Sequence, residues 1–236
     1  MARLLLEHGA NPNAGLDGCQ HCVNITRVYH GEQAKPLEQL MRRHGAYTQP
    51  YHMSVRQMKK ALRDGHEVIR HPEFLGNMMA KRNAELLDLY LDSDPAAVER
   101  MADGLACPWS AAPVRRLLAR GLEPNRPDWL GKTFLHACAA RGDKSIAAVF
   151  LEAGADINAR GIEFNETPLA AAVRSGLGSK EPKLAERRRQ MVEFLLKRGA
   201  ATNLPDDEPW ATPLAWARKL GIADIEQILL QHGATG

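Results

Sequence analysis

The chain has 236 residues, 44% of them hydrophobic and 25% charged, a balance that belongs to folded proteins and excludes an intrinsically disordered one. Its 31 Lys and Arg against 28 Asp and Glu leave a net charge of +3, too weak a field to gather nucleic acid or anionic lipid, and no run approaches the roughly 18 apolar residues of a membrane span. Four cysteines without framework spacing point to a reducing compartment, and an aromatic share of 6% suits helices packed through Ala, Leu and Val.

One spacing recurs along the chain. A closing glycine is preceded at −8, −5, −4 and −3 by apolar residues, the offsets of one helical face. The first instance is Met1, Leu4, Leu5 and Leu6 before Gly9, so residues 1–13 read as the second helix of a truncated repeat and the array as a fragment of a longer one. No secretory signal pattern is visible there. Residues 14–48 form a degenerate repeat closed by Gly45, with Leu37, Leu40 and Met41 in place and Ile25 to Tyr29 as its weak first helix. It contains Cys19-Gln20-His21-Cys22. A Cys-x-x-Cys pair is half of a tetrahedral zinc site, the second pair is absent, and the loop reads as reduced thiols, so no metal or cofactor is expected.

Residues 49–72 are an irregular insert with an extra helix over 54–63. The repeat 73–99 places Leu86, Leu89, Tyr90 and Leu91 before Asp94, with a first helix around 73–82 in which Met78 and Met79 fill core space. In 100–132, Val114, Leu117 and Leu118 precede Gly121, Pro108 and Pro113 shorten the first helix, and Asp128-Trp129-Leu130-Gly131-Lys132-Thr133 forms a turn in which glycine supplies positive φ. The repeat 133–166 opens at Thr133 and carries Ile146, Val149, Phe150 and Leu151 before Gly154. In 167–211, Thr167-Pro168 starts a capped helix, Met191, Phe194, Leu195 and Leu196 precede Gly199, and Asn165 takes the place of the turn glycine. Its two glycines, Gly176 and Gly199, lie 11 residues farther apart than in the other units, enough for about three extra helical turns in register. Leu184 fits such an extension, which is basic, with seven Lys and Arg against three Glu over 180–198, and is expected to project beyond the stack. There Arg187, Arg188 and Arg189 read as a solvated face, with contact to an acidic partner as the alternative. The last unit, 212–236, repeats the pattern through Ile225, Ile228, Leu229 and Leu230 before Gly233, with Trp210 at the turn-glycine position and hence a remodelled turn.

Thr167-Pro168-Leu169-Ala170-Ala171-Ala172 and Thr133-Phe134-Leu135-His136-Ala137-Cys138 resemble the ankyrin signature T-P-L-H-x-A, and the step from 133 to 167 is 34 residues. The stretch Ala153-Gly154-Ala155-Asp156-Ile157-Asn158-Ala159 is similar to the family's helix exit into its finger loop. The resemblance covers 100–236 closely and 1–99 in degenerate form. It implies an all-α solenoid, a single domain over 1–236, of stacked helix-turn-helix units with finger loops. It also implies that His136 bonds backbone between neighbouring units.

No P-loop, dinucleotide turn, G-x-S-x-G or H-E-x-x-H is present, and the nine histidines are scattered, so an enzyme is not expected. What the resemblance implies instead is non-catalytic binding of another protein on a concave face of fingers and first helices, by a monomeric cytoplasmic adaptor or regulator. The residues picked out are Trp129, Leu130, Ile162, Phe164 and Trp210 as anchors, with Arg126, Arg141, Arg160 and Arg174 near them and Asp206 and Asp207 at an acidic tip. Packing of Trp129 and Trp210 finger against finger is the competing reading. Two other functions stay open: a metal- or redox-responsive regulator using the Cys19/Cys22 loop, and a targeting segment of a longer effector or enzyme.

Overall fold

The computed structural model describes residues 2–10, 15–16, 20–21, 35–44, 55–63, 84–99, 110–162, 165–175 and 181–235. The contacts divide the chain into two units, Met1–Met101 and Ala102–Gly236. In the first, α1 (Ala2–Glu7) packs on α2 (Lys35–Arg43), and α3 (Val55–Arg63) packs on α4 (Ala84–Ser93), which a short 3-10 turn (Pro95–Ala97) follows. Strands β1 (Gly15–Leu16) and β2 (Gln20–His21) form a two-residue antiparallel pair, Gly15 opposite His21. The insert helix falls where the spacing predicts it, and it carries core: Met58 is fully buried, as are Leu86, Tyr90 and Leu91 across from it on α4. Cys19, Cys22, the signature over 25–29 and the helix around Met78 and Met79 lie outside the described residues.

The second unit contains α5 (Ala111–Leu118), α6 (Phe134–Arg141), α7 (Lys144–Glu152), α8 (Pro168–Arg174), α9 (Pro182–Lys197), α10 (Pro213–Lys219) and α11 (Ala223–Gln231). The first helices α6, α8 and α10 pack in series, each with its own second helix α7, α9 or α11 alongside. Local chemistry starts and stops each helix. Thr167 Oγ1 accepts the amide of Ala170 at 3.3 Å and Thr212 Oγ1 that of Ala215 at 3.1 Å, with proline next in both cases, where its missing N–H costs nothing. At the far ends Gly121, Gly154, Gly199 and Gly233 all hold φ between 84° and 92°. The amide after each glycine turns back to a carbonyl five residues upstream, as in Ala155 to Phe150 at 2.9 Å and Ala200 to Leu195 at 3.0 Å. Leu122, Ala155, Ala200 and Ala234, which follow the glycines, are buried, so each stop also seals an apolar contact.

Neighbouring units are joined by a ladder of asparagines that the sequence analysis passes over. Asn125 donates to the Gly154 carbonyl at 3.0 Å and accepts the Asp156 amide at 2.6 Å; Asn158 accepts the Ala201 amide at 2.9 Å; Asn203 grips both backbone groups of Thr235 at 2.8 and 3.0 Å. Each stands four residues after a closing glycine, so one side chain per unit meets the exit of the next.

Helix α9 has 16 residues where α7 and α11 have nine, so it is longer by about two turns rather than the three expected, and residues 176–180 lie outside the described ones. Its added turns are largely solvated, with Pro182, Lys183, Ala185, Glu186 and Arg187 exposed, but they also touch the preceding unit. Arg187 donates to the Arg141 carbonyl at 2.8 Å and lies 3.3 Å from Asp143, and Gln190 accepts from Lys144 at 2.7 Å, so the added turns rest on the bend of the preceding unit. Arg188 is buried and donates through Nε to the Ser175 carbonyl at 2.9 Å, closing the end of α8; burial lowers its pKa. Arg189 is held within its own helix by Glu186 at 3.0 Å and Glu193 at 2.8 Å. Three consecutive arginines thus meet three different sets of partners, because successive helical residues point about 100° apart.

Candidate functional site

The finger before α6 is built by one carboxylate. Asp128 Oδ1 accepts the amides of Leu130 at 2.9 Å and Lys132 at 2.8 Å, its backbone pairs with Lys132 and Gly131, and Gly131 closes the bend with φ +71°. The next finger is hooked to it through the amide of Ile162, which donates to the Leu130 carbonyl at 2.7 Å. Asn165 takes positive φ, 46°, as its place in the turn predicts. The third finger is rebuilt around Asp207, whose carboxylate accepts the Leu204 amide at 2.6 Å, while Trp210 stays out of the left-handed region.

These turns leave Trp129 and Ile162 each 79% exposed and Trp210 52% exposed. A ring packed between fingers would lose most of that area, so Trp129 is not packed finger against finger, whereas Trp210 has about half of its surface covered. Leu130 and Arg126 are half-buried, and Phe164 lies outside the described residues. The remaining polar candidates have partners within the fold. Arg160 reaches across to the last finger, 3.0 Å from the Asp207 carboxylate and 3.2 Å from the Asp206 carbonyl. Arg141 pairs with Asp143 at 2.9 Å. Arg174 pairs with Glu166 and lies over the Trp216 ring, 4.6 Å from its centroid.

Glu166, 3% exposed, is the hub that the sequence analysis misses. Its carboxylate meets Arg174 and, at 3.1 Å, Lys132 from the neighbouring finger, while its carbonyl accepts from His136 Nε2 at 3.0 Å and from the Gly161 amide at 3.0 Å. Because His136 Nδ1 accepts the Thr133 amide at 3.0 Å, the proton sits on Nε2 and the ring is neutral. Burial lowers the His136 pKa, against the smaller opposing pull of the Glu166 contacts. His136 therefore ties one unit's helix start to the next unit's finger, as the resemblance implies. The available signal for Glu166 was its position, directly before Thr167-Pro168. For Trp216 it was an indole at the x of T-P-L-H-x-A, where the neighbouring units carry Ala137 and Ala171.

Burial pushes the Cys138 thiol up to about 12, so the thiolate is suppressed at neutral pH. No group of His, Cys, Asp or Glu among the described residues is placed to hold a metal ion.

A family model described as ankyrin repeats (3 copies) matches residues 80–206, more than half of the chain. The chain belongs to the ankyrin repeat proteins. Ankyrin repeats are non-catalytic modules that bind other proteins. A stretch of 65 residues is 43% identical to the palmitoyltransferase Hip14 of Drosophila melanogaster; it covers 28% of this ankyrin chain and 10% of that enzyme, so the similarity spans about a tenth of the relative's length. No helix among the described residues is long and apolar enough to cross a membrane.

Proposed function

We propose that the ankyrin units of 102–236 bind a partner protein non-covalently through the face made by the finger loops and first helices, as a monomeric cytoplasmic adaptor or regulator without catalytic activity of its own. The observation that carries this reading is the exposure of Trp129 and Ile162, both 79%, on fingers held rigid by the Asp128 turn and the Ile162–Leu130 hydrogen bond. An aromatic and an aliphatic side chain kept in water by a stiff backbone lose little entropy when a partner covers them. Trp210 extends the same set to the last finger. Arg160, Asp206 and Asp207 act in this reading by fixing one finger against another, and Arg126, Leu130 and Phe164 complete the face.

The test is affinity capture from cell lysate by the native chain and by a Trp129→Ala/Ile162→Ala/Trp210→Ala form shown by circular dichroism to retain its helix content. Capture by the native chain alone supports the reading. Equal capture by both forms rules out the fingers as the binding surface.

A second reading is favoured by the similarity to an ankyrin stretch within a palmitoyltransferase: the units direct a larger enzyme to its protein target. In that case the same finger face selects the target, and the triple substitution abolishes modification of the target in the full enzyme while leaving its basal turnover intact.

A further inference from the structure

Resting on the binding-face reading above, we propose that the partner presents a segment both apolar and basic: a large apolar side chain covers Trp129 and Ile162, and a neighbouring Arg or Lys is taken by Trp210, Asp206 and Glu208 on the last finger. The apolar patch spans two fingers. The Ile162 amide donates to the Leu130 carbonyl at 2.7 Å, and a Cβ at Gly131 would lie 2.6 Å from Ile162 Cγ1, so the Ile162 side chain rests on the turn that carries Trp129. Two residues before Ile162, Arg160 reaches the last finger at the Asp207 carboxylate, 3.0 Å away, and the Asp206 carbonyl, 3.2 Å away. The acidic finger therefore adjoins the apolar patch.

Charge selects the occupant. The finger stretches 122–132, 155–166 and 200–211 hold eight Asp and Glu against three Lys and Arg, a balance of −5 in a chain whose total is +3. The three cations are already engaged: Lys132 with Glu166 at 3.1 Å, Arg160 with Asp207, and Arg126 within the fold as well. Asp206 and Glu208 differ. Each is tied through its carbonyl, Asp206 to Arg160 and Glu208 to the Ala211 amide at 2.8 Å, while its exposed carboxylate has no partner among the described residues. The Glu208–Ala211 hydrogen bond closes the turn in which Trp210 stands, and the Asp207 amide closes the turn before it on the Leu204 carbonyl at 3.0 Å. A half-exposed indole and two unpartnered carboxylates thus occupy consecutive turns. A guanidinium can use both groups, stacking on the ring while it pairs with a carboxylate. Anionic lipid and nucleic acid meet like charge here, and a wholly apolar segment would strip water from the carboxylates without compensation.

The test selects random peptides displayed on phage against the whole chain, then measures synthetic hits by calorimetry on the native chain, on Asp206→Lys/Glu208→Lys and on Trp129→Ala/Ile162→Ala. All four side chains are exposed, and the melting temperature of each variant serves as its folding control. The expected result is an Arg or Lys beside a large apolar residue in the hits, a loss of about tenfold or more in affinity on Asp206→Lys/Glu208→Lys, and recovery on that variant when the peptide cation is replaced by Glu. Hits that need Trp129 and Ile162 but share no cation, or that bind the charge-reversed variant within about twofold of native, overturn the basic partner and leave the binding-face reading standing. Hits indifferent to Trp129→Ala/Ile162→Ala, or no hits at all, overturn both. Sedimentation equilibrium adds a separate arm: self-association of the native chain that Trp129→Ala/Ile162→Ala abolishes makes a second copy the occupant of the patch and overturns the partner segment.

Discussion

Gly131 has no room for a side chain. Its φ of +71° already disfavours an L-residue, and a Cβ there would lie 2.6 Å from Ile162 Cγ1 and 2.9 Å from the Ile162 amide. Gly131→Ala is expected to cost about 2–3 kcal/mol, read as a lowered urea midpoint, since conformational strain and a backbone clash add. The same substitution at Gly154, where nothing lies within 4 Å, meets only the conformational term and costs less. His136 makes stability depend on acid. Its folded pKa is lowered below 6.5, so below that value the unfolded chain binds the extra proton more readily and stability falls with pH toward the lowered folded value; above it the contribution is complete. Urea midpoints between pH 7.5 and 5.5 are expected to fall more steeply for the native chain than for His136→Gln. Equal slopes would remove His136 as the source. Cys138, with its thiol pushed up to about 12, is expected to resist alkylation at pH 8 until the chain is unfolded.

Among the elements, α9 discriminates between arginines that look alike in sequence. Arg188→Ala removes the buried guanidinium that closes α8 at the Ser175 carbonyl and is expected to cost about 1–3 kcal/mol. Arg189→Ala breaks pairs on a water-facing side of one helix and is expected to change stability by less than about 0.5–1 kcal/mol. Denaturant melts of the two variants check the ordering. The helices themselves were legible: Thr167-Pro168 and Thr212-Pro213 start them, the closing glycines stop them, and the apolar offsets orient them, because all three are local backbone chemistry. The docking of the added turns of α9 onto the bend at 141–143 was not legible, since seven cations in sequence do not state which neighbour each will meet.

At the scale of the stack over 102–236, each first helix packs on those of the adjoining units, so a change at one joint should spread mainly to its neighbours. Asn158→Ala is expected to cost about 1 kcal/mol and to raise hydrogen exchange in the backbone amides around Ala201 while leaving those of α5 unchanged. The exposure of the finger side chains was legible in part. Trp129 and Trp210 stand in turn positions that packing does not demand, and they prove exposed. Arg141, Arg160 and Arg174 stand beside them in the repeat frame, where arginine favours interfaces, and each has a carboxylate within the fold. Side chains that long find partners according to which units lie side by side, and Asp207 is 47 positions from Arg160.

The sequence by itself determined the repeat, its period, the helix ends and the family, because the helix ends follow from residues within a turn or two of one another and the period from the recurrence of that local pattern along the chain. Only the tertiary structure decided that Glu166 gathers Lys132 and Arg174 and that an indole holds Arg174 and Lys219 together. It likewise decided that three adjacent arginines serve three different neighbours. Those outcomes depend on the register of one unit against the next, and register is the sum of many weak contacts, legible at no single position.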